Sequence, residues 1–119
     1  MSESILKEKS FLFAIKIVKL YKSLKENQQE YVLSKQLLRC GTSVGAMVRE
    51  AKNSESRADF QHKLGIAKKE CDETSYWLKL LMRTNYITEN EAEDIKFEAT
   101  ELLKMIRSSI LTSKSSIHK

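Results

Sequence analysis

Not one of the 119 residues is proline, and only three are glycine. A chain without proline has nothing that obliges a helix to stop, so its natural form is a few long helices joined by short links. A β architecture would need more turn residues and more strand-like alternation. The length corresponds to one domain with a single core.

Apolar spacing divides the chain into four helices. The first spans about 4–26, where Leu6, Phe13, Ile17, Leu20 and Leu24 form one line and Ser10 fills its gap. Phe11, Ala14, Val18 and Tyr21 form a second line beside it. Together they make a wider apolar face than a simple amphipathic helix needs. The second helix spans about 30–52, with Leu33, Leu37, Cys40, Val44, Met47 and Ala51 in heptad-like steps. The third spans about 57–84, with Ser56 as its N-cap and a seam from Phe60 to Leu81. The fourth spans about 88–111 behind the capping box Thr88-x-x-Glu91, and residues 112–119 form a frayed Ser/Lys tail. Four long helices with short links predict an all-α, antiparallel, up-down-up-down bundle.

Gly41, Ser43 and Gly45 sit inside the second helix, where each glycine costs roughly 0.5–1 kcal/mol against alanine. Gly41 and Gly45 share one helix face, which would let another backbone approach closely. The alternative is a kink near Gly41-Thr42-Ser43. The glycine face is offset from the Cys40/Val44 seam. With the wide face of the first helix, this predicts contact between identical copies; the bland alternative is that both faces serve one compact core.

The order "LRCGTSVGAMVREAKNSESRADFQHKLGIAKKECDETSYWLKLL" carries Leu38-Arg39, Ser43-Val44-Gly45-Ala46, Val48, Glu50-Ala51, Ser56, Asp59-Phe60, Leu64, Ile66-Ala67 and Glu70. It resembles the four-helix-bundle proteins encoded in intervening sequences of bacterial 23S ribosomal RNA genes. The resemblance implies a left-handed four-helix bundle and a ring-shaped homopentamer. It also extends to the accessory variability determinant of diversity-generating retroelements. That implies binding to nucleic acid, and to a nucleic-acid enzyme such as a reverse transcriptase, through a basic surface. It implies no settled activity.

The charge balance is 21 basic to 16 acidic residues. That excess permits an RNA or DNA partner without requiring one. Lys7, Lys9, Lys16, Lys19, Lys22 and Lys25 line the outside of the first helix; Arg49, Lys52, Arg57, Lys63, Lys68 and Lys69 bracket the second turn. Solvated helix faces are the default reading of lysine runs. Against it, the fourth helix carries the largest share of the acid, six of 16 residues, and oligomerisation would repeat the basic patch. The expected nucleic-acid contacts are Lys16, Lys19, Lys22, Lys25, Arg49, Lys52, Arg57 and Lys63. No aromatic stacking platform is evident, so binding should be sequence-tolerant and salt-sensitive. Arg39, Gly41, Ser43, Gly45, Glu50, Phe60 and Glu70 are the expected structural or interface positions, with Glu50 and Glu70 either in ion pairs, Arg39 being a partner, or solvated.

No catalytic constellation is visible, and no cofactor is expected. Asp59-x-x-His62 is the nearest approach to a di-iron motif and lacks its second half; His118 lies in the tail. Cys40 and Cys71 have no CxxC spacing and fall on core seams. Residues 1–4 lack a basic segment leading into an apolar core, and no run is long enough to span a bilayer, so a cytoplasmic, non-membrane protein is expected. The expected function is a non-enzymatic, homo-oligomeric nucleic-acid-binding bundle; the alternative is a protein-interaction adaptor.

Overall fold

The computed structural model describes residues 2–115, with side chains from residue 4 onward. It contains four helices: α1 (Ser2–Gln28), α2 (Leu33–Lys52), α3 (Arg57–Arg83) and α4 (Glu89–Ser115). Each packs on its neighbours in sequence, and α1 closes the bundle against α4. Contacts run in opposite directions along every adjacent pair. Arg39 meets Glu70 while Glu50 meets Lys63; Cys71 meets Ala99 while Gln61 meets Ser113. The order is therefore up-down-up-down, in a body 53 × 22 × 20 Å.

Leu6, Phe13, Ile17 and Leu24 of α1 meet Leu37, Val44 and Val48 of α2, Leu64, Leu78 and Leu81 of α3, and Ile95, Leu102 and Ile106 of α4 in one continuous core. Burying each side chain is worth roughly 1.5–3 kcal/mol, which is why helices of this spacing associate. The seam of α2 differs from expectation at two places: Leu33, at the start of the helix, is only partly buried, and the seam shifts near its end. Val48 is buried and Met47 only partly so, because a straight helix drifts away from a strict heptad repeat.

The ends are set by local chemistry. Gln29 takes a left-handed φ of 51°, and the Glu30 N–H turns back to the Leu24 carbonyl. The second helix was expected from residue 30 but begins at Leu33, because Glu30 is used as a cap. Its carboxylate accepts from the N–H groups of Val32, Leu33 and Ser34 at 3.2, 3.0 and 2.6 Å. Burial opposes the Glu30 charge, but these three donors outweigh it and hold the carboxyl below its usual range. The Ser56 hydroxyl accepts the Asp59 N–H at 3.0 Å. Thr88 and Glu91 exchange bonds of 2.9 and 3.1 Å in a reciprocal capping box. Asn85, at φ 71°, closes α3 in a Schellman-type turn from the Tyr86 N–H to the Leu81 carbonyl.

Residues 112–115, expected to fray, continue α4. Ser113 anchors them: its carbonyl accepts from Arg57, and its hydroxyl accepts from Gln61 at 2.9 Å. Residues 116–119, including His118, lie outside the described residues.

The helix does not kink at the glycines; α2 runs unbroken through them. A Cβ on Gly41 would stand 2.8 Å from both Cγ atoms of Ile17, and one on Gly45 would stand 3.1 Å from the Ser10 backbone oxygen. The close approach is real, but the neighbour is α1 of the same chain. This corrects the expectation that an identical copy presses on these residues. Ser43, two residues from each glycine, lies on the other flank of the helix.

Candidate nucleic-acid interface

The basic residues separate once the helices are in place. Lys16 bridges to α4, pairing with Asp94 at 3.3 Å and with Glu98. The hydrogen bond to Glu98 raises the Lys16 ammonium above its ordinary value. Lys63 pairs with Glu50 at 3.1 Å, which raises it likewise. Arg57 donates to the Ser113 carbonyl. These three, expected to reach phosphate, serve contacts inside the bundle. A phosphate would compete there with a carboxylate or carbonyl already in place, so the cations without an ion pair are the stronger candidates.

Lys19, Lys22, Lys25, Arg49 and Lys52 are exposed and make no ion pair among the described residues. Lys25 lies over the Tyr21 ring, 5.5 Å from its centroid. Arg49 and Lys52 share a groove with Lys7, at the N-terminal end of α1. The groove has a volume of about 640 Å³, and Phe11, Ala14, Gly45 and Ala46 line it between the charges. Glu8 is the acidic residue in its wall. Gly45 and Ala46 keep the α2 side of the groove low, since neither carries a side chain beyond Cβ. The same small residues that let α1 approach thereby leave a shallow channel outside it.

Phe11 is the residue that pattern reading missed here. It belongs to the second apolar line of α1, of which Ala14, Val18 and Tyr21 are half-buried while Phe11 projects from the surface. An exposed ring beside Lys7 and Arg49 offers a base a stacking surface. Phe13, two residues on and in line with Leu6 and Ile17, is fully buried.

The expected structural residues divide between α2 and α3. Arg39 pairs with Glu70 at 3.3 Å and with Glu73. Trp77 donates to Glu73 at 2.9 Å, which with Arg39 outweighs burial and lowers the Glu73 carboxyl. Arg39 is half exposed, so this is a surface network between α2 and α3; such pairs contribute about 0–1 kcal/mol each. Phe60 packs on the edge of the core below the second turn.

Cys40 and Cys71 are buried and free. Burial pushes the Cys71 thiol up to about 12 and raises that of Cys40. Neither is poised as a nucleophile or metal ligand. Among the described residues, no three His, Cys, Asp or Glu side chains form a metal-binding group. No described helix is long and apolar enough to cross a membrane.

The sequence matches the family model described as 23S rRNA-intervening sequence protein over residues 2–108. Among solved structures, it is similar to a protein of unknown function from the S23 ribosomal protein family of Bacteroides thetaiotaomicron. The two share 53% identity with a TM-score of 0.91, over 92% of this chain and 98% of that one. No curated protein matches.

Proposed function

Because the chain belongs to the 23S rRNA-intervening sequence protein family, we propose that it acts as a non-enzymatic, self-associating bundle that binds RNA or DNA through the α1–α2 face. The assembly is taken as a pentamer in the cytoplasm, and a nucleic-acid enzyme such as a reverse transcriptase is its proposed protein partner. One observation carries the binding reading. Arg49 and Lys52 of α2 and Lys19, Lys22 and Lys25 of α1 make no ion pair among the described residues, while α4 carries six of the 16 acidic residues, more than any other helix. A surface kept basic in this way attracts phosphate whatever the base sequence.

Fluorescent single-stranded RNA titrated at several salt concentrations tests this. Affinity should fall steeply with salt. Arg49→Ala with Lys52→Ala should flatten the log–log salt dependence by about 1.4, from two lost phosphate contacts at roughly 0.7 each. Tight binding that ignores salt, or a double variant that binds like the parent, overturns it. The exposed Phe11 over an apolar floor favours a second reading, an adaptor whose groove takes a partner helix. No RNA binding even at low salt leaves that reading in place.

A further inference from the structure

The groove between α1 and α2 joins two unlike chemistries. Gly45 lies against the Ser10 backbone, which sets the level of the two helices. Phe11 is then level with Gly45 and Ala46, and Lys7, one turn back along α1, is level with Arg49. One further turn brings Lys52 to the end of the groove. Half of the cavity of about 640 Å³ is therefore apolar and the other half cationic. A phosphate alone has no use for the apolar half. Phe11 is 58% exposed, and nothing in the core requires a ring there.

Other surface rings keep different company. Tyr21, on the same line of α1, is half-buried with Lys25 over its face. Phe97 stands one turn from Glu93, Asp94 and Glu101 on α4, where a phosphate would be repelled. Tyr76 meets the Trp77 ring edge-on at 5.0 Å and follows Asp72 and Glu73 by one turn. Phe11 combines an exposed ring with cations in the same groove. That pairing is what an unpaired nucleotide needs. Its base offers a flat face to stack, and its phosphate takes charge-assisted hydrogen bonds from Arg or Lys. In a duplex, neighbouring bases already cover those faces, so a ring on a protein surface has nothing to stack on. Glu8, on the α1 wall, repels phosphate toward Arg49 and Lys52 on the α2 wall.

We infer that the α1–α2 groove holds an unpaired nucleotide of a single strand, its base stacked on Phe11 and its phosphates on Lys7, Arg49 and Lys52, so that the ligand is single-stranded nucleic acid rather than duplex. The inference rests on the phosphate-binding reading proposed above and names its substrate class. A strand suits the site better than a free nucleotide, because Lys19, Lys22 and Lys25 continue the cations along α1 beyond the reach of one phosphate.

Fluorescence anisotropy on the full chain at one low salt concentration tests this, with three DNA probes: a single strand, its duplex, and the same strand abasic throughout. The parent should bind the single strand more tightly than the duplex, although the duplex carries more phosphate. Phe11→Leu, which keeps apolar bulk and loses the ring, should weaken single-strand binding by about 5- to 150-fold, the worth of one stacked base. Phe11→Tyr, which keeps the ring, should bind like the parent. Neither variant should alter binding of the duplex or of the abasic strand. A nucleoside monophosphate should displace the strand only at far higher concentration. Duplex and single strand binding alike, with Phe11→Leu without effect, overturns the stacked base and leaves the salt-sensitive phosphate surface standing. Phe11→Leu weakening the abasic strand equally shows that the residue shapes the groove instead of stacking, and overturns it too. A monophosphate as effective as the strand overturns the strand as ligand. No binding of any probe overturns both this inference and the reading beneath it, and leaves the groove to a partner helix.

Discussion

Gly41 makes the internal packing measurable. Alanine there would set its Cβ 2.8 Å from Cγ1 and Cγ2 of Ile17 and 3.1 Å from Cδ1. Ile17 is fully buried, and its branched Cβ allows few rotamers, so its two γ carbons cannot swing clear. Either α1 moves outward or Ile17 leaves its well, a cost of about 1–3 kcal/mol. Alanine returns about 0.5–1 kcal/mol of helix propensity, for a net loss of about 0–2.5 kcal/mol, centred near 1. Gly65 is the internal control, since nothing lies within 4 Å of a Cβ there. Gly65→Ala should therefore stabilise by about 0.5–1 kcal/mol. Urea unfolding followed by circular dichroism, at one fixed protein concentration because assembly couples to stability, reads both. In an Ile17→Ala background the Gly41→Ala penalty should vanish and its sign reverse. If Gly41→Ala stabilises as much as Gly65→Ala in the parent, propensity alone governs and the close approach of α1 to α2 carries no energy.

Phe13→Ala should cost about 3–5 kcal/mol in the same unfolding assay, as Phe13 is the largest fully buried side chain. Glu30→Gln should cost about 1–2 kcal/mol at neutral pH, by weakening the charged cap of α2. Because folding lowers the Glu30 carboxyl, its contribution is fully present above the unfolded-state value. It is lost as pH falls through the lower folded value, so parent and variant should converge in acid in parallel unfolding curves. Cys40 and Cys71 should resist a thiol reagent in the native protein and react at once in urea, which a colorimetric thiol titration follows.

Four helices, their order and most of their core were legible without coordinates. Apolar spacing at 3.6-residue intervals, Ser56 and Thr88 as caps, and the absence of proline depend on neighbours a few residues away, and such signals are written locally. The Glu30 cap was not legible, because a glutamate three residues before a helix reads equally well as its first turn. The fate of each lysine was not legible either. Lys16 and Lys19 have the same local sequence character, yet one faces Asp94 and Glu98 on α4 and the other faces solvent. Phe13 was legible as core from its line with Leu6 and Ile17, but the exposure of Phe11 on the second line was not, because it depends on where α2 sits.

The sequence alone thus determined where the chain is helical and which stripe of each helix turns inward, because these follow from periodicity along a single strand of residues. Only the tertiary structure decided what presses on Gly41 and Gly45, which cations remain free, and which apolar side chains are left on the outside. Those depend on the rotation and level of one helix against another, and they emerge only when 27-residue rods are packed side by side.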